Sequence, residues 1–215
     1  MRVVVAGGHG QIALLLQRLL AEAGHEPVGI IRNPAQAGDL ERLGSVALVR
    51  DLEQTPPAAL AGDLRGADAV VFAAGGGPNS GAARKLTMDR DGAILLADAA
   101  EAAGIRRYLM VSALAADDHD PDSSDTFQIY LRAKSEADAD LRARDLDWTV
   151  VRPGGLTDDP PTGQVTVGES TGRGTVPRAD VAAVLAHLLD SGGGVRRQFE
   201  LIGGRTPIAA ALAGL

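Results

Sequence analysis

The chain opens on an uncharged apolar run, Val3-Val4-Val5-Ala6, which breaks into Gly7-Gly8-His9-Gly10 and then passes into a helical pattern. A run without polar alternation predicts a strand buried on both faces, as in a parallel sheet. Behind it, Ile12, Leu15, Leu16, Leu19 and Leu20 recur at helical spacing. They predict a helix over residues 11–23, stopped by Gly24. The alternation then repeats. Strands are predicted at residues 27–31, 46–49, 68–74, 107–112, 148–152 and 198–202, and Gly75-Gly76-Gly77-Pro78 ends the fourth of the seven. Helices are predicted at residues 35–43, 56–65, 85–103, 126–144 and 178–189. Crossovers of this length need helices, so the pattern implies an α/β protein with a doubly wound parallel sheet and helices on both faces. Residues 153–177, rich in Gly, Thr and Pro, predict a small C-terminal substrate-side lobe with a short strand at 164–167. The whole of 1–215 reads as one domain carrying that insertion.

Composition narrows the partners. At 45% hydrophobic and 23% charged, the 215 residues suit an ordinary globular core. Aromatics make up only 3%, which argues for an aliphatic core and against base-stacking platforms. A net charge of −7 disfavours phosphate backbones and anionic membranes. The absence of cysteine excludes disulfides, zinc thiolates and a Cys nucleophile. No apolar run approaches a membrane span, and a strand starting at residue 2 or 3 leaves no room for a signal peptide. The expectation is a cytoplasmic monomer or homodimer whose partner is a small molecule, with no nucleic acid and no membrane.

The opening turn reads as a nucleotide site. Its glycines let the backbone turn sharply and leave bare main chain for a ligand. The helix behind it points unpaired N–H groups and a positive dipole end at the same spot, which suits a phosphate. The spacing fits Gly8-x-Gly10-x-x-Ala13, the common dinucleotide fingerprint, or Gly7-x-x-Gly10-x-x-Ala13. The alternative is a purely structural turn between strand and helix.

Ligands of open α/β sheets bind beyond the carboxyl ends of the strands. Those ends carry the glycine turn, Arg32, Asp51, Ala73–Gly75, Ser112 and Pro153–Gly155. Sites that prefer NAD(H) usually place a carboxylate where this chain has Arg32 beside Asn33. A guanidinium there suits the 2′-phosphate, so NADP(H) is favoured over NAD(H). The alternative for Arg32 is a solvated strand end.

Tyr130 and Lys134 stand four apart on a predicted helix and so share a face. A nearby ammonium favours the phenolate and lowers the phenol's pKa. The chain has only two Tyr, and Lys85 and Lys134 are the two lysines among 21 basic residues. Ser112 stands at the end of strand five, placed to bond a substrate carbonyl or the tyrosine, or simply to cap the next turn. Between Ser112 and Tyr130 runs the acidic loop 117–125. Asp118, Asp120 and Asp122 have calcium-loop spacing, but Ser123 replaces the required Gly and Ile129 the required Glu. No metal site is read there, and the loop is a candidate lid.

These segments together resemble the short-chain dehydrogenase/reductase superfamily, in its atypical branch with NmrA-like and biliverdin/flavin-reductase-like proteins. The resemblance rests on Ala6–Ala13, Ile31–Pro34, Arg50–Leu52, Val111–Ala113, Tyr130–Lys134, Val151–Leu156, Pro177–Ala182 and Phe199–Gly204. It implies a Rossmann-like fold in which Gly7, His9, Gly10, Gln11 and Ile12 hold the pyrophosphate. It further implies Arg32 at the 2′-phosphate, Asp51 and Leu52 at the adenine, and Ala73, Ala74 and Gly75 along the ribose and nicotinamide side. Pro153, Gly154, Gly155 and Leu156 would meet the carboxamide. Ser112, Tyr130 and Lys134 match the family's catalytic positions, with Lys134 also on the ribose. The implied function is an NADP(H)-binding oxidoreductase acting on a small carbonyl, quinone or flavin-like substrate. The alternatives are a non-catalytic redox-sensing regulator and an epimerase/dehydratase-like enzyme. Two residues depart from the pattern: Ala13 replaces the third Gly, and His9 stands where the family often has a small residue or Thr, within reach of a phosphate.

Overall fold

The computed structural model describes residues 1–77 and 80–215; Pro78, read above as part of the break after the fourth strand, lies outside the described residues. The first half runs β1 (Arg2–Ala6), α1 (Gln11–Glu22), β2 (Glu26–Ile31), a 3-10 turn (Pro34–Gln36), α2 (Ala37–Arg42), β3 (Val46–Val49), α3 (Pro57–Leu64) and β4 (Ala69–Phe72). There follow α4 (Ala82–Arg84), a π-helical stretch (Lys85–Asp91), α5 (Gly92–Ala102), β5 (Arg107–Val111), a 3-10 turn (Ala116–Asp118), α6 (Thr126–Arg142) and β6 (Asp147–Pro153). The chain ends with β7 (Gly155–Thr157), β8 (Gln164–Gly168), β9 (Thr175–Pro177), α7 (Arg178–Ser191), β10 (Arg197–Gly203), β11 (Thr206–Pro207) and α8 (Ile208–Leu212).

The main sheet has the order β11-β8-β10-β6-β5-β4-β1-β2-β3. It is parallel from β3 to β10, as the βα alternation implies. Strand alternation sends side chains to two cores. Val4, Ala6, Val70, Phe72, Tyr108 and Met110 face α3, α5 and α6, while Val3, Val5, Val71, Leu109 and Val151 face α1 and α7. The direction of winding reverses between β1 and β4, so the loops after these two strands part and leave a crevice between them. Among the described residues, no helix is long and apolar enough to cross a membrane.

Two sequence expectations change. The single helix expected over 85–103 starts at Ala82 and is α-helical only at its ends, with the π stretch Lys85–Asp91 between. That wider turn brings Lys85, Met88 and Asp89 inward. The strand expected inside the lobe, β8, instead joins the main sheet antiparallel to β10, because its Val165 is fully buried in the α1/α7 core. What remains of 153–177 pairs as a separate two-stranded sheet, β7 with β9. The short β11 and α8 were not read from the sequence; α8 buries only Leu212.

The acidic loop is tied down at both ends. Arg152 donates to both Asp117 carboxylate oxygens at 2.7 and 2.9 Å, and Ser135 Oγ donates to Asp117 Oδ1 at 2.7 Å. At the far end Asp125 caps α6, accepting from the N–H groups of Phe127 and Gln128. The Arg152 hydrogen bonds hold the Asp117 carboxyl down at about 2, below the usual carboxylate range.

Two stability measurements follow. A Cβ at Gly8 would stand 2.7 Å from Gly29 Cα, where α1 closes on β2. Gly8→Ala should therefore cost about 1–3 kcal/mol in urea unfolding. The Asp117 carboxyl has a folded pKa below its unfolded one, so its stabilisation is complete above about pH 5 and drains away as pH falls toward about 2. Wild type should exceed Asp117→Asn by about 1 kcal/mol or less at neutral pH, since Asp117 is half exposed. The gap should shrink through about pH 2 and close only below it; a pH-independent gap would contradict the assignment.

Candidate functional site

The turn after β1 is shaped by contacts that exclude side chains. Gly7 has φ +78°, and a Cβ there would lie 2.6 Å from Ala74 Cα. Gly8 donates its N–H to Ile30 O, and Gly10 donates to Gly7 O at 2.7 Å. The first turn of α1 carries no acidic residue, and its N-cap, Gly10, supplies no side-chain cap. The α1 N-terminus thus keeps its donors for an incoming anion. A pyrophosphate fits such a cradle, in which bare backbone leaves space and donors together.

Two adjoining cavities open along this turn. The smaller, about 380 Å³, lies on the Arg32 side and is lined by Gly7, His9, Gly10, Arg32, Asp51, Leu52 and Ala73–Gly75. Here the structure gathers most of the binding residues read from the sequence. It adds Arg84 and Met88, which sequence reading missed because they come from the helix after β4, far along the chain. Arg32 is more than half exposed, with Nη1 3.6 Å from Glu53 Oε2. Arg84 reaches the same carboxylate at 3.0 Å, and Thr87 Oγ donates to it at 2.6 Å. Two guanidinium groups therefore converge at the rim of this cavity.

His9 has a different role from the expected phosphate contact. Its Nδ1 accepts from Gln36 Nε2 at 3.1 Å, which leaves Nε2–H to donate to Asp39 Oδ2 at 2.7 Å. Both ring nitrogens are spent on holding the glycine turn to the 3-10 turn and α2, although the ring still lines both cavities.

The larger cavity, about 870 Å³, is bounded by His9–Ile12, Ala73–Gly75, Val111, Ser112, Phe127, Tyr130, Lys134 and Leu156. It brings Gln11, Ile12 and all three expected catalytic residues to one space. The remaining members of 153–156 are turned elsewhere. Gly154 and Gly155 donate their N–H groups to Leu201 O and Gly174 O, and Pro153 O accepts from Leu114 N–H. Only Leu156 of this segment lines the cavity, correcting the expectation that all four meet the ligand.

Tyr130, Lys134 and Asp138 follow one another every fourth residue along α6, so one helix face delivers all three. Lys134 is buried, and its Nζ donates to Val111 O at 3.1 Å and lies 3.4 Å from Asp89 Oδ1. Asp89, on the π stretch, also accepts from Gly76 N–H at 3.0 Å. Burial opposes the Lys134 charge, but Tyr130, Asp89 and Asp138 outweigh it and raise the ammonium's pKa. For Tyr130, burial pushes the phenol up more than Lys134 pulls it down. The net direction is opposite to the simple pairing expectation: near neutral pH the phenol keeps its proton beside a charged ammonium.

Ser112 differs from expectation as well. Its hydroxyl donates to Asp138 Oδ2 at 2.8 Å, and that oxygen also accepts from Arg152 Nε at 2.8 Å. A serine has one proton to give. With it committed to Asp138, Ser112 faces the cavity with lone pairs rather than as a carbonyl donor. Asp138 Oδ1 is buried without a partner among the described residues. Asp89 and Asp138 escaped sequence reading, though a carboxylate on the buried face of a helix is a visible signal that it has a partner inside.

Comparison with known proteins agrees with this geometry. A family profile described as NAD(P)H-binding matches residues 7–192. An uncharacterized sugar epimerase of Bacillus subtilis is 38% identical over 216 residues, covering 100% of both chains. The solved structure of a Bacillus halodurans protein, described as a candidate NAD-dependent epimerase/dehydratase, is 39% identical and superposes with a TM-score of 0.91 over 100% of each chain. An oxidoreductase of Lactococcus lactis is 25% identical, with a TM-score of 0.86 over 100% of this chain and 96% of that one. With an open phosphate cradle after β1, a cavity on each side of it and a profile match spanning most of its length, the chain belongs to the NAD(P)H-binding family that the profile describes.

Proposed function

We propose that the protein is an NADPH-dependent oxidoreductase that reduces a small carbonyl, quinone or flavin-like substrate in the larger cavity. The observation that carries this reading is the wall shared by the two cavities, His9, Gly10 and Ala73–Gly75. A ligand extended along it from the Arg32 rim reaches the space lined by Tyr130 and Lys134. When bound, the nicotinamide supplies a hydride. Tyr130, kept neutral by burial, donates its proton to the substrate oxygen. Lys134, fixed by Asp89 and the Val111 carbonyl, stabilises the phenolate left behind. Ser112 accepts a hydrogen bond from the hydroxyl formed on the substrate, its own proton being held by Asp138. Ile12, Val111 and Leu156 supply apolar wall beside the transfer.

The preference for NADP(H) is supported by Arg32 and Arg84, which offer charge-assisted bonds to a 2′-phosphate. A second reading, NAD(H), rests on the Glu53 carboxylate between them, an acceptor suited to ribose hydroxyls. A second activity, epimerisation or dehydration, is favoured by what the Bacillus relatives are called; it would consume no NADPH over a full turnover.

Single-turnover oxidation of NADPH with a quinone acceptor tests the mechanism. Tyr130→Phe should slow it by about 10²–10⁴-fold with NADPH affinity unchanged; undiminished oxidation would remove Tyr130 from the chemistry. Fluorescence titration tests the cofactor. Arg32→Ala should weaken NADPH by about 1.5–3 kcal/mol and leave NADH nearly unaffected. Equal losses for both would favour the Glu53 reading.

A further inference from the structure

The sequence singles out two lysines, and the mechanism uses one. The other, Lys85, is the first residue of the π stretch, and its side chain lines the larger cavity. It is nine-tenths buried, yet among the described residues no carboxylate pairs with it. Its Nζ donates to Gly77 O at 2.6 Å and stands 5.2 Å from the centre of the Tyr130 ring. A carbonyl and a ring face are neutral partners, so they offset part of the cost of burying a cation and leave its charge uncompensated. The nearby acids are already committed. Asp89 is held by Lys134 and Gly76 N–H, and Asp125 caps α6.

A buried ammonium without a counter-ion, beside the proton donor in a cavity of this size, is paired when the ligand brings the charge. We propose that Lys85 is the anion-recognition residue of the substrate site, and that the substrate carries a carboxylate or phosphate beside its reducible group. The apolar body of that substrate rests against Phe127, whose ring is 6.0 Å from that of Tyr130 and largely exposed, and against Leu156. The proposal rests on the reductase reading for the word substrate, but its binding chemistry is independent of turnover.

The test is calorimetric titration of the NADP⁺-saturated protein with two matched probe pairs. 4-Carboxybenzaldehyde is set against 4-methylbenzaldehyde, and FMN against riboflavin. At least one anionic member should bind about tenfold or more tighter than its neutral partner, as a charge-assisted bond allows. The pair that shows the preference identifies the source, carboxylate or phosphate. Lys85→Met should erase the preference while melting no lower than wild type, since it removes an uncompensated buried charge; Lys85→Gln serves if the Met variant does not fold. Equal binding within both pairs, no binding by any probe, or a preference that survives the substitution would overturn the proposal. So would a matching loss of NADP⁺ affinity in Lys85→Met, which would assign the residue to the cofactor. If the anionic probe binds through Lys85 but NADPH is not oxidised by it or by a quinone, the anion site stands and the reductase reading falls.

Discussion

The buried pair of Lys134 and Asp89 is the interaction on which the site depends. Four segments meet there. Lys134 comes from α6, Asp89 from the π stretch after β4, and the remaining partners are the Val111 carbonyl ending β5 and the Gly76 N–H of the glycine loop. A charge taken out of water must find its partners inside or fold at a loss. Satisfying this one fixes how far α6 slides along β5 and how the loop after β4 folds back. Those two placements set the walls of the larger cavity. The same pair keeps the ammonium charged next to a phenol that burial holds neutral, which is the division of labour an acid with a stabilising neighbour requires.

The glycine turn imposes a second constraint, steric rather than electrostatic. Gly7 sits against Ala74 and Gly8 against Gly29, so β1, β2 and the end of β4 approach to distances at which no side chain fits. Close backbone approach leaves the α1 N-terminus open beside the loop after β4. His9, wedged between Gln36 and Asp39, holds that opening to the next βα unit. Cradle and cavity are thus produced by separate forces: close packing shapes the first, and a buried ion pair the second.

Much of the fold was legible because periodicity reports burial. The strands β1, β4, β5 and β6 are buried on both faces, and their pattern predicts them to within two residues at either end. The wall residues at strand ends followed from where open sheets bind ligands. The misreadings share a cause. The π stretch, the recruitment of β8 into the main sheet and the turning away of Pro153–Gly155 depend on partners distant along the chain, which local pattern does not contain. The same holds for Arg84, Glu53 and Asp138, which matter through what they meet.

The sequence by itself determined the alternating architecture, the phosphate turn and the four-residue step from Tyr130 to Lys134, because each is written in spacings that a strand or a helix converts directly into geometry. Only the tertiary structure decided which protons are available. Ser112 points its proton at Asp138, His9 spends both nitrogens on Gln36 and Asp39, and burial reverses the expected direction for the Tyr130 phenol. Hydrogen-bond polarity and desolvation belong to the company a side chain keeps, and that company is assembled from the whole chain.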